Sequence, residues 1–114
     1  DRERGLLFLD LSHVHVRRAE DIASIREAVE AVCGTIGHRV ATIVNYDGFE
    51  VDHDVADAYA QMTREIEARH YSRVSRYAGG AFRRMQLERL LSREHTPPIF
   101  ETQAQAQAWL QEGQ

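Results

Sequence analysis

A chain of 114 residues that is 43% hydrophobic and 28% charged is long enough for one domain with a real core and too short for two, and its composition fits neither disorder nor a disulfide scaffold. No apolar run approaches the roughly 20 residues that cross a bilayer, and no signal-peptide pattern opens the chain. The single cysteine, Cys33, excludes an internal disulfide and a thiolate metal cluster. A soluble, cytoplasmic protein without membrane attachment is expected. The net charge is −4 and all fourteen basic residues are arginines, but their layout is uneven. Up to Ala68 fourteen acids stand against seven arginines, whereas residues 69–93 hold seven arginines beside Glu88 and the adjoining Glu94. The overall acidity and the lack of interleaved exposed aromatics argue against a nucleic-acid partner. The chain opens Asp1-Arg2-Glu3-Arg4-Gly5, without methionine, so a single domain over residues 1–114, trimmed or taken from a longer polypeptide, is expected.

Residues 5–11, GLLFLDL, are nearly all apolar, and HVHVR follows with Val14 and Val16 alternating with His13 and His15; both read as strand, with Ser12 a bend. From Ala19 to Cys33 the residues Ile22, Ile25, Val29, Val32 and Cys33 recur at helical spacing, and Gly34 is the expected stop. The β-branched run RVATIV, 39–44, lacks alternation, as a strand buried on both faces does. A second helix is written in Val55, Tyr59, Met62 and Ile66. SRVSRY, 72–77, reads as a strand near a sheet edge because it is so polar. A third helix is expected over about 80–92, presenting Phe82, Met85, Leu87, Leu90 and Leu91. Pro97 and Pro98 then break the chain. PIF forms a short strand, and Thr102, with Gln105 three residues on, opens a last helix through Trp109 and Leu110. Strand and helix alternating in this order predict an α/β fold: a mostly parallel sheet of four to five strands with about four helices.

Three clusters invite a chemical reading. NYDGFEVDHDVADAY, 45–59, brings five carboxylates and one histidine into fifteen residues, the ligand types of a hard-cation or acid–base site. Its spacing is not that of a calcium loop. A structural reading explains each residue separately: Asp47-Gly48 as a turn, Asp52 or Asp54 as cap of the following helix, Asp57 near its positive end. Because the stretch follows a parallel strand, where open α/β sheets hold ligands, Asn45, Tyr46, Asp47, Asp52 and His53 are candidate pocket-lining residues. His13 and His15, two apart in a strand, share a side and would hold zinc only with a third ligand from elsewhere, which the local sequence lacks; a pair of surface-facing strand histidines is the favoured reading. Arg73, Arg76, Gly79, Gly80, Arg83 and Arg84 form the third cluster. A strand entering a Gly-Gly turn at a helix start offers bare N–H groups and a helix dipole to an anion such as CoA, a nucleotide or phosphate. The competing reading is a glycine turn with solvated arginines. No serine has the glycine context of a nucleophile elbow, and Cys33 lies in a helix stripe, as a core residue does.

The ending PIFETQAQAQAWL resembles the strand–helix close of STAS-like domains, the fold of bacterial anti-sigma-factor antagonists. ATIVNYDGFEVDHDVADAYAQM and YSRVSRYAGGAFRRMQL resemble the extra C-terminal domain of some bacterial acyl-CoA:acetate/3-ketoacid CoA-transferases. Together these resemblances cover most of the chain from about Arg17 onward. It implies a non-catalytic accessory, regulatory or assembly domain whose partners are upstream catalytic domains of the same or an associated polypeptide, with a homo-oligomer also compatible. Two departures bear on it. STAS-type antagonists carry a phosphorylatable serine at the start of the helix after the central strand, where this chain reads Asp52-His53-Asp54. The transferases' thioester-forming glutamate belongs to their upstream domains, and nothing here matches its motif. No catalytic residue, metal or cofactor is therefore assigned; a metal-dependent hydrolase on His13, His15 and the acidic loop is the remaining alternative.

Overall fold

The computed structural model describes residues 5–91 and 98–112. In chain order it contains β1 (Leu6–Asp10), β2 (His15–Val16), α1 (Ala19–Ile36), β3 (Val40–Asn45), β4 (Glu50–Val51), α2 (Ala56–His70), β5 (Tyr71–Tyr77), α3 (Ala81–Leu90), β6 (Ile99–Phe100) and α4 (Gln103–Glu112). A single 3-10 turn, His53–Val55, leads into α2. The main sheet has the order β1-β3-β5-β6 with every pair parallel. The expected α/β class, parallel sheet and four helices are all present. His95, Pro97 and the expected end of the third helix at Ser92 fall outside the described residues.

The main sheet is covered from two sides by different partners. Val44, Tyr71, Val74 and Ile99 meet Ile22, Val29 and Cys33 of α1, Tyr59, Met62 and Ile66 of α2, and Leu87 of α3. On the other face Leu6, Ile43 and Tyr77 meet Ala106 and Leu110 of α4, with Phe100 and Trp109 packed against them. Three helices thus lie on one face and one on the other. A register shift in the β3–β5 pair allows Tyr71 and Val74, of opposite parity, to share the first core.

Several local expectations are corrected. Gly34 does not stop α1, which runs through it to Ile36; Gly37, at φ 77°, takes the left-handed position and its N–H donates to the Cys33 carbonyl. Asp21 starts that helix by accepting the N–H groups of Arg17 (2.9 Å) and Arg18 (3.1 Å), which holds its carboxyl below the usual range. HVHVR is not one strand: His13 sits in a turn at φ 61°, and only His15 and Val16 are extended. The polar strand β5 lies inside the sheet, between β3 and β6. Two of its polar residues, Ser75 and Arg76, are buried, and Arg73 reaches across α4 to the Leu110 carbonyl (2.9 Å) while stacking over Trp109 (4.4 Å to the ring centroid). The last unit forms as its sequence predicts. Thr102 Oγ1 accepts the Gln105 N–H (3.2 Å), and Gln105 Oε1 accepts those of Thr102 (3.2 Å) and Glu101 (3.0 Å).

Candidate functional site

The β1–β3 pairing does not end with the sheet. Beyond Asp10 and Asn45 the two chains stay side by side: the Leu11 N–H donates to Asn45 (2.9 Å), His13 to Asp47 (2.7 Å), Glu50 to Val14 (2.9 Å) and Asp52 to Val16 (2.9 Å). The result is a two-stranded parallel arm, β2 with β4, extending past the carboxyl edge of the sheet. Two stacked turns, at Ser12-His13 and Asp47-Gly48, bend it. The Phe49 N–H closes the second turn on the Tyr46 carbonyl (3.0 Å), with Gly48 at φ 68°. A Cβ on Gly48 would run into the His13 ring, so only glycine fits there. Phe49 anchors the arm, packing on Tyr46 (4.8 Å between centroids) and Tyr59 (5.2 Å).

The carboxyl edge, where parallel sheets place ligands, has most of its polar groups bonded to one another. Asp10 Oδ1 accepts the Ser12 hydroxyl (2.5 Å) and N–H (2.9 Å), which lowers its proton affinity. Asn45 Oδ1 accepts the Asp47 N–H (2.9 Å), and Asp47 Oδ1 accepts the Gly79 N–H (2.6 Å). Burial raises the Tyr77 phenol, helped by the nearby Asp47 and Asp10 charges.

The acidic loop and the Gly-Gly turn, read separately in the sequence, therefore meet. A carboxylate of the chain itself occupies the backbone donor that an anion would seek. Gly80, at φ 88°, precedes α3. Arg83 donates to the Phe49 carbonyl and Arg84 to that of Ala78 (3.0 Å). Gly79, Gly80, Arg83 and Arg84 stay together around the start of α3, whereas Arg73 leaves for α4. Arg76 turns into the core beside Glu67 (3.7 Å, Nη2 to Oε2). These positions follow from strand parity: beyond the register shift, 74 and 76 face α2, and 73, 75 and 77 face α4.

Asp52 does not cap the helix after it; its carboxylate takes His15 Nε2 at 2.6 Å instead. His15 Nδ1 accepts from Arg17 Nε (3.1 Å) and lies 3.6 Å from Glu50. His13 and His15 thus serve different partners, and no three His, Cys, Asp or Glu side chains are grouped to hold a metal ion among the described residues. Asp52 and His53, with Glu50 and Asp57, form one wall of an open groove of about 800 Å³, whose other wall is α3 with Arg83 and Arg89. Phe49, Val51, Leu87 and Leu90 add apolar lining. Of the five candidate pocket residues, Asp52 and His53 reach this groove. Tyr46 is buried with its hydroxyl 2.8 Å from that of Tyr59, and Asn45 and Asp47 are engaged at the sheet edge.

Sequence reasoning missed the buried Tyr46–Tyr59 and Glu67–Arg76 pairs. Their signal was present: Tyr59, Thr63 and Glu67 recur every four residues, a polar line beside the apolar stripe of α2. No helix among the described residues is long and apolar enough to cross a membrane. Comparison with protein-family models, curated proteins and solved structures gives no significant match.

Proposed function

We propose that this chain is a non-catalytic accessory domain of STAS-like kind that docks on the catalytic domains of a CoA-transferase-type enzyme and assists their assembly or regulation. One observation carries the reading: at the carboxyl edge of the sheet, Asp10, Asn45 and Asp47 spend side-chain bonding capacity on Ser12, Asp47 and Gly79. Such an edge braces the arm and α3. The resemblance of residues 41–62 and 71–87 to the extra domain of those transferases supplies the partner. Calorimetric titration of the domain into the catalytic domains of a CoA-transferase from the same genome tests it. A saturable heat is expected, with no acyl transfer by the domain alone; absence of binding at any concentration would remove the docking role.

A second reading, a domain that binds a small anionic ligand such as CoA, a nucleotide or phosphate, draws on the groove lined by Arg83 and Arg89. Its acidic wall opposes a bare phosphate and suits a ligand that carries a cationic or hydrogen-bond-donating group as well. Titration with CoA, ATP and phosphate, repeated on Arg83→Ala and Arg89→Ala, separates the two readings. Equal, negligible binding by all three proteins eliminates the second.

A further inference from the structure

The core under α2 contains a charged side chain with an unmet bonding need. Arg76 is 4% exposed and pairs through Nη2 with Glu67. Its Nε is a buried donor without a hydrogen-bond partner among the described residues. Opposite stand the bonded Tyr46 and Tyr59 hydroxyls, 2.8 Å apart, with the Thr63 side chain hydrogen-bonded to Tyr59. Arg76, Tyr46, Tyr59, Thr63 and Tyr71 share the walls of one cavity of about 20 Å³, lined otherwise by apolar residues such as Val44 and Met62. Every wall residue is buried or half-buried.

Size and charge select the occupant. A cavity needs at least about 10–15 Å³ to admit a water molecule, and the water needs two to four polar partners. This one meets the first requirement with room for one molecule. Arg76 lines the cavity and repels a cation, and its charge is already balanced by Glu67 at 3.7 Å; a neutral molecule that both accepts and donates suits the walls.

We infer that this cavity is a binding site for a single water molecule, which accepts the Arg76 Nε–H and donates to the Tyr46–Tyr59–Thr63 hydroxyl chain. The water completes one network from β3 and β5 to α2. It allows an ion pair to stay buried where an unpaired donor would be costly.

Oxygen-17 relaxation dispersion in labelled water, together with a water-selective rotating-frame Overhauser spectrum, tests the site. One long-lived water and a cross-peak to the Arg76 Nε proton are expected in the wild type. The dispersion amplitude should fall by one water in Arg76→Met, and in Thr63→Val, which keeps the ion pair should the first variant fail to fold. Hydroxyl protons in exchange with solvent can relay the cross-peak, and the oxygen signal is immune to that relay. Absence of a long-lived water in the wild type overturns the inference. So does an anomalous peak in the cavity of bromide-soaked crystals, which would mark a monovalent anion site.

Discussion

The Asp47 carboxylate accepts the Gly79 N–H at 2.6 Å, tying the loop that leaves β3 to the turn that begins α3. A bond to an ionised acceptor contributes about 1.5–3 kcal/mol. Asp47→Ala should therefore lower unfolding stability by about that amount in urea, with the slope unchanged. A loss under about 0.5 kcal/mol, the range of ordinary surface substitutions, would mean that the bond adds little.

Gly48 and His13 occupy each other's space. Alanine at Gly48 must adopt φ 68° and place its Cβ in the His13 ring, and the backbone term alone is about 1–2 kcal/mol. Gly48→Ala is expected to destabilise by more than that term. Adding His13→Ala should restore the steric part and leave the backbone part. Strictly additive losses in the double-mutant cycle would show that the ring and Gly48 are not in contact.

How much of this was legible from the residues depended on distance along the chain. The α/β order, the Thr102–Gln105 cap and the buried place of Cys33 rest on local spacing, and each is present. Gly34 against Gly37 was a choice between two glycines three residues apart, decided by which one could leave the helix at positive φ. The site was harder. Asp52 lies next to a helix start and would cap it in isolation, but His15, 37 residues away, competes successfully for its carboxylate. Arg76 read as an anion ligand because strand parity beyond a register shift is invisible without the partner strand. Asp47 and Gly79 belonged to two clusters until the sheet brought β3 and β5 together.

The tyrosine pair offers a test of buried bonding. Tyr59→Phe leaves the Tyr46 hydroxyl without its 2.8 Å partner at a cost of about 1–3 kcal/mol. Tyr46→Phe with Tyr59→Phe should lose less than the two single losses summed, since both partners go together. Thermal unfolding of the four proteins measures this, and a double loss equal to or above the sum contradicts the pairing.

Acid and alkali should act through different groups. Ser12 lowers Asp10, the Arg17 and Arg18 N–H groups lower Asp21, and Gln61 and Arg26 lower Glu65. Depressed carboxyls contribute stability that is present above their unfolded values, near 4, and lost as pH falls through the folded ones. Burial raises Cys33, Tyr59 and Tyr71. Raised groups that are neutral when protonated contribute stability that is full below their unfolded values, about 8.5 for the thiol and about 10 for the phenols, and lost as pH climbs toward the folded ones. Urea midpoints should be level between those limits and decline outside them. Asp21→Asn should flatten the acid limb; an unaltered limb would remove Asp21 from it.

Hydrogen exchange at the Gly79 amide, followed by nuclear magnetic resonance in the wild type and in Asp47→Ala, bears most directly on the closed carboxyl edge. Strong protection in the wild type that collapses in the variant is the predicted result. Wild-type exchange at the rate of an open loop would contradict it, leaving the Gly-Gly turn available to a ligand.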